Sequence, residues 1–327
     1  MIDNDLKILI VGNSFSRDSL YYLREIARTK NCDVTMGLLY MGGRDLKYHF
    51  ETREQNVNLF YLNDFDINSP TVKSDFSLGR ALREQAWDIV VLQNYFGGIY
   101  TGVSDGDWLP VGAELSEYVS KILPDCRIML NQIWSFELMY HYSGTIIDQK
   151  LQSDTDMYIR EKYLELAAGI NRRTGKSIQI VPVGQAIASA RRLDSGVFSA
   201  VYYESGVAEA WKNYPNAAGY DYGYGILSPQ DKADGKVKLN RDGFHLTTLG
   251  RYLAGAVWFE TLTGIDSRTL DFIPPAETLG CFVQNHFKDG FYLYGTYCEP
   301  DRKYIKALNE IAHSTVLDNT KNCNGSN

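Results

Sequence analysis

The stretch Leu6-Lys7-Ile8-Leu9-Ile10-Val11-Gly12-Asn13-Ser14-Phe15-Ser16 decides the fold. Its apolar run is continuous rather than alternating, which predicts a strand buried on both faces, as in a parallel sheet. Gly12 ends the run, and from Ser16 the spacing turns helical. Ser16 is expected to cap that helix, Asp18 falls in its first turn, and Leu20, Leu23 and Ala27 share one face. Strand, tight turn and helix together lift Ser14 clear at the carboxyl end of the strand, the edge where open α/β sheets build their sites. A helix start also aims unpaired N–H groups at that spot. Ser14 therefore reads either as a nucleophile whose own backbone N–H can receive an oxyanion, or simply as a helix cap.

Working outward, further buried strands are expected at Asp33–Tyr40, Trp87–Gln93, Arg127–Leu130 and Ile178–Pro182. Helices are expected at Phe76–Gln85, Val111–Leu123, Thr155–Arg173 and Thr247–Leu262. Strands alternating with helices predict an α/β fold with a parallel sheet between two helical layers. Two connections exceed a simple link: 49–75, inside which Val57–Leu62 predicts an extra strand, and 195–241, rich in Tyr and Gly. Connections of that length are often functional. No repeat or linker divides the chain, so one domain over 1–327 is expected, with a core at about 6–263, those two insertions and an extension from 264. Asp318–Asn327 is polar and expected to fray.

The chain has 327 residues, of which 44% are hydrophobic, enough to fill a sizeable core. Its net charge of −7 argues against nucleic acid as a partner. No apolar run is long enough to span a bilayer, so no membrane partner is expected. Met1–Asp5 lacks the start of a signal peptide. The chain as given reads as cytoplasmic, and removal of a leader would make it periplasmic or secreted. Five cysteines without a C-x-x-C pair indicate neither a disulfide framework nor a zinc site, and read as small buried hydrophobes.

A second signal lies near the other end, at Asp242-Gly243-Phe244-His245. A serine hydroxyl needs a base, and the base needs an acceptor that orients it. An Asp three residues before a His on a turn can supply both. Alone, the pair reads as a turn residue and a helix-start residue; with the strand–Ser–helix unit present, the catalytic reading is the stronger.

Gly12-Asn13-Ser14-Phe15-Ser16 resembles the first block of the SGNH (GDSL-like) hydrolases, and Asp242-Gly243-Phe244-His245 resembles their last. Tyr40-Met41-Gly42-Gly43-Arg44-Asp45-Leu46 looks like their glycine block, and Trp87 to Asn94 sits where their Asn-bearing block belongs. The blocks stand in family order. The nearest resemblance is to a bacterial subgroup long labelled as of unknown function, with Gly-Asn-Ser-Phe-Ser at its start, a Gly-Gly followed by a His (here His49), and a Trp-Asp…Leu-Gln strand. The resemblance implies a flavodoxin-like three-layer α/β/α sandwich with five parallel strands. It also implies Ser14 as nucleophile, His245 as base and Asp242 as its orienter. For the oxyanion hole it implies the N–H of Ser14, the N–H of Gly43 (Gly42 being the near alternative) and a side chain from Gln93 or Asn94. Neighbours on a strand face opposite ways, so one of the latter two serves; related carbohydrate esterases use a Gln there, which favours Gln93. Two departures stand out: Asn13 replaces the usual Asp, and the usual Gly-x-Asn-Asp is absent.

Other constellations are weaker. Asp64 to Asp75 begins like a calcium loop but lacks its Gly and its Glu. The histidines do not cluster with metal-ligand spacing, so no metal or cofactor is expected. Gln132 and Trp134 after the fourth strand, and Tyr95 after the third, are candidate substrate contacts, with packing an equal reading for Trp134. The expected activity is hydrolysis of a short acyl ester, an O-acetyl group on a carbohydrate. A catalytically silent carbohydrate-binding domain and a lipase- or thioesterase-like hydrolase are the alternatives.

Overall fold

A computed structural model describes residues 5–64, 71–95, 108–135, 152–192, 223–226, 240–246, 248–274, 283–287, 290–293 and 302–324. At its centre is a seven-stranded sheet. In chain order its strands are β1 (Asp5–Gly12), β2 (Asp33–Tyr40), β3 (Asn58–Leu62), β4 (Lys73–Phe76), β5 (Ile89–Leu92), β6 (Arg127–Asn131) and β7 (Gln179–Val181). They lie in the order β4-β3-β2-β1-β5-β6-β7. From β2 to β7 every pairing is parallel, and β3 and β4 add an antiparallel edge beyond β2. The parallel strands thus follow the flavodoxin-like order 2-1-3-4-5, with its switch point beside β1.

The strands form where their residues suit a sheet covered on both faces. Ile8, Leu9, Ile10 and Val11 are all fully buried, as are Ile89 to Leu92. With both faces covered, hydrophobic residues need not alternate. Among the described residues, nine helices flank the sheet: α1 (Ser14–Leu20), α2 (Leu23–Thr29), α3 (Leu46–Glu51), α4 (Leu78–Glu84), α5 (Trp108–Ile122), α6 (Gln152–Thr174), α7 (Val183–Arg191), α8 (Thr248–Thr263) and α9 (Arg302–Asn324). Helices α1, α2, α7 and α9 pack about α8 as one layer, and α3 to α6 form the other. Two hairpins stand apart from the central sheet, β8 (Gly223–Ile226) with β9 (Asn240–Leu246), and β10 (Val283–Phe287) with β11 (Gly290–Leu293).

The architecture is the three-layer α/β/α sandwich expected from the sequence, with local corrections. The cap of α1 is Asn13, not Ser16: its Oδ1 accepts from Phe15 N at 3.0 Å, and the helix begins at Ser14. Asp242–His245 is not a turn but part of β9. The extra strand in the first insertion pairs antiparallel with β2. The C-terminus does not fray at Asp318, because α9 continues to Asn324 and Asn319 Nδ2 donates to the Ile180 carbonyl of β7 at 3.0 Å. Cys126 is buried and Cys32 half-buried, both as free thiols. The 195–241 insertion, with Tyr220 and Tyr222, lies largely outside the described residues.

Candidate active site

The register brings the candidate residues to one edge. Gly12 pairs with Tyr40, Val11 with Leu92 and Leu92 with Leu130, so β1, β2, β5 and β6 end side by side. The segments that follow carry Ser14, Gly42 and Gly43, Gln93 and Asn94, and Gln132 and Trp134.

Ser14, half-buried, is the first residue of α1. The turn beneath it is held from three sides. Asn13 Nδ2 donates to the Arg44 carbonyl at 2.9 Å, tying the turn to the glycine loop. His49 Nε2 lies 3.2 Å from the Gly12 carbonyl. Gln93 Oε1 accepts from Ser16 Oγ at 2.9 Å and from Asn13 N at 3.3 Å. This convergence leaves no room for a side chain at Gly12, where a Cβ would lie 2.2 Å from Ser16 Oγ and 2.8 Å from Gln93 Oε1. His49 is fully enclosed, and burial pulls its pKa down to about 4. Its ring is therefore neutral at pH 7, with the Nε2–H donated to Gly12 and Nδ1 left without a partner among the described residues.

Gly43 has a left-handed φ of 64° in the exposed turn after β2, a conformation that favours glycine. Gly42 has no such need, since a Cβ there would stand an ordinary 3.4 Å from the Tyr40 hydroxyl.

Gln93 and Asn94 bond to opposite helical layers, as alternation predicts. Gln93 is fully buried, and its carboxamide is committed within the interior, with Nε2 donating to the Asn94 carbonyl at 2.6 Å. Asn94 Oδ1 instead accepts from Leu46 N at 3.1 Å, at the head of α3 directly after the glycine loop.

Gln132 and Trp134 are only 2% and 1% exposed. Gln132 Oε1 accepts from Gln185 N in the first turn of α7, and the Trp134 ring sits 4.8 Å from that of Phe15, beside Ser14. Both are packed among the described residues. The segment after β6 is fixed by Arg191, whose guanidinium donates to Ser135 Oγ and to the Ser135 carbonyl at 2.9 and 3.0 Å. Asp156, pushed up by burial, shares that cluster. Tyr95 is half-buried, with its ring 6.1 Å from Phe15.

Asp242 and His245 lie in the backbone of β9, and their side chains fall outside the described residues. The ladder is irregular there: Gly223 pairs with Leu246 but Gly225 with Arg241, so two steps of β8 face five of β9. Strict alternation does not hold across such a bulge. The strand is joined to α1 by Asp18, which the sequence marks only as a first-turn acid. Its Oδ2 accepts from Leu246 N at 3.1 Å and its Oδ1 lies 3.2 Å from the Arg251 guanidinium of α8. The signal available in the sequence was Arg251, which with Glu260 is one of two charges in that otherwise largely apolar helix.

Among the described residues, Glu260, Asp266 and His313 are the one group able to share a metal ion. Their donors are already engaged. Asp266 holds Arg268 through both oxygens, Glu260 Oε2 accepts from Ser267 N, and His313 Nδ1 lies 2.7 Å from Glu260 Oε1. The group clasps α9 to the end of α8.

The fold recurs in solved structures. One, a DUF4886 family protein from Bacteroides uniformis, is 22% identical with a TM-score of 0.59, the match covering 96% of this chain and 95% of that one. More distant are a candidate GDSL-like lipase from Parabacteroides merdae (13% identity, 80% and 96% covered, TM-score 0.43) and a family 3 carbohydrate esterase from Clostridium thermocellum (11%, 78% and 94%, 0.39). No curated protein matches. Residues 7–206, more than half of the chain, match the family described as "Domain of unknown function (DUF4886)", and the chain belongs to that family.

Proposed function

We propose that this protein is a serine esterase that removes short acyl groups, O-acetyl groups on carbohydrate, through an acyl-enzyme. The carrying observation is the seat of Ser14: first residue of α1 at the carboxyl edge, its turn tied to the glycine loop by Asn13 and its helix tied through Asp18 to the strand that bears Asp242 and His245.

Ser14 Oγ attacks the ester carbonyl while His245 takes its proton, and Asp242 orients the imidazole and stabilises its charged form. The tetrahedral oxyanion is received by the N–H groups of Ser14 and Gly43 and by the Asn94 carboxamide. Asn94 takes the place expected for Gln93, because the Gln93 carboxamide is consumed in supporting the turn. His245 returns the proton to the leaving alcohol. Water, deprotonated by the same His, then releases the acid.

The substrate class rests on the 23 Tyr and 5 Trp of the chain and on the polar Tyr- and Gly-rich insertion at 195–241. Aromatic faces with polar tips suit sugar rings, whereas a lipase would need an apolar lid. The test is kcat/KM on acetylated oligosaccharides against p-nitrophenyl esters of two to twelve carbons. Acetate release from sugars and a falling rate beyond short chains are expected. A preference for about eight carbons or more, with no sugar deacetylated, would leave a lipase-like hydrolase; no turnover at all would leave a silent binding domain.

A further inference from the structure

We infer that Asp18 is a positioning residue that sets the base-bearing strand against the nucleophile, an inference that rests on the Ser14–His245 reading above. Asp18 stands one helical turn after Ser14 in α1, so its carboxylate moves with the nucleophile. Its Oδ2 accepts from the backbone N–H of Leu246, the residue directly after His245. Its Oδ1 engages Arg251, and the two side chains are only 1% and 2% exposed. The Arg251 guanidinium also lies over the Tyr21 ring, 4.3 Å from its centroid, just past the end of α1.

A carboxylate so deeply buried is held in place by its partners, because an uncompensated charge there would be strongly disfavoured. The pair therefore acts as a rigid spacer. Arg251 anchors one oxygen to α8, and the other oxygen fixes the end of β9. The bulge in β9 lies immediately before Leu246, between Arg241 and that residue. Its ladder with β8 slips between Gly223 and Gly225, so the pairing of Leu246 with Gly223 does not by itself fix the residues before it, and an external anchor at that end has something to do. Leu246 is itself fully buried, which closes the anchor from the other side. Asp18 does not touch the reacting atoms in this scheme; it acts through the backbone beside the base.

Three double variants test this. Asp18→Asn with Arg251→Gln removes both charges but keeps an acceptor for Leu246 N–H; we expect kcat to stay within about tenfold of wild type. Asp18→Ala with Arg251→Met removes the acceptor and leaves an apolar pair, a replacement that buried ion pairs often tolerate. It is expected to fold, with kcat reduced about 100-fold or more, KM within about threefold, and fluorophosphonate labelling of Ser14 slowed in parallel. Amide exchange at Leu246, read by NMR, should be slow in wild type and in the Asn/Gln pair and fast in the Ala/Met pair. Should the Ala/Met pair not fold, Asp18→Ser with Arg251→Gln, too short to reach Leu246, carries the same comparison. A folded acceptor-less variant with wild-type kcat, or equal losses in the Asn/Gln and Ala/Met pairs, would overturn the inference. A wild-type protein that neither labels nor turns over any ester would sink the esterase reading instead. The exchange comparison would still judge the anchor, and slow Leu246 exchange without the acceptor would refute it.

Discussion

Asn13 and Arg44, thirty-one residues apart, are joined by a hydrogen bond in which Asn13 Nδ2 donates to the Arg44 carbonyl at 2.9 Å. The same side chain accepts from Phe15 N through Oδ1 and so caps α1. Only a carboxamide can do both, since an ionised carboxylate accepts but does not donate. The Asn before the serine thus has a structural reason: this chain uses the position to lock the serine turn to the glycine loop.

Asn13→Asp is accordingly expected to keep the cap and lose the lock. With a carboxylate oxygen facing the Arg44 carbonyl, stability at pH 7 should fall by about 1–3 kcal/mol. The urea midpoint should drop with an unchanged m-value. An unchanged midpoint would mean that the Asn13–Arg44 bond contributes nothing.

Asn94 and Gln93 should separate cleanly. Asn94→Ala is expected to lower kcat by an amount worth roughly 3 kcal/mol with little change in KM, the signature of an oxyanion donor. Gln93→Ala should instead lower the melting temperature, because it strips Ser16 Oγ and Asn13 N of their buried acceptor. The reverse pattern would return the oxyanion role to Gln93.

His49 makes stability depend on pH. Its folded pKa of about 4 lies below the ordinary 6.5, so the folded protein holds the ring neutral where the unfolded chain would protonate it. The contribution is complete above pH 6.5 and is lost as pH falls from 6.5 towards 4, about 3 kcal/mol in all. His49→Gln should flatten the stability curve over that window relative to wild type. Parallel curves would show that the buried ring is not what titrates.

The two glycines of the loop should differ in tolerance. Gly43→Ala forces a side chain onto a φ of 64° and should cost about 1–2 kcal/mol, whereas Gly42→Ala should be near neutral. Thermal melts of the two variants decide it, and equal losses would contradict the assigned turn.

The core of this fold was legible because its strands are buried on both faces. Ile8 to Val11 and Ile89 to Leu92 are short uninterrupted apolar runs, β-branched-rich and flanked by turn residues, which favours a strand over a buried helix. The edge residues were legible through their place after those strands. What the sequence hid was the long-range hydrogen bonding of the two adjacent candidates. Gln93 and Asn94 are equivalent as letters, and only the positions of Ser16 and Leu46 distinguish them. Trp134 read equally as a substrate contact and as packing, and its ring lies against that of Phe15. Asp18 was read as a first-turn acid because nothing local announces that a residue 228 positions away needs its carboxylate. Asp242–His245 passed for a turn because the glycine between them suits a turn and a strand bulge equally.

Whether Ser14 is a nucleophile activated by His245 is read by covalent labelling with a fluorophosphonate and peptide mapping by mass spectrometry. One equivalent should bind, on Ser14, with none on the Ser14→Ala protein and greatly slowed labelling of His245→Ala. A folded wild-type protein that takes up no label, or a label carried by another residue while Ser14→Ala keeps its esterase activity, would contradict it.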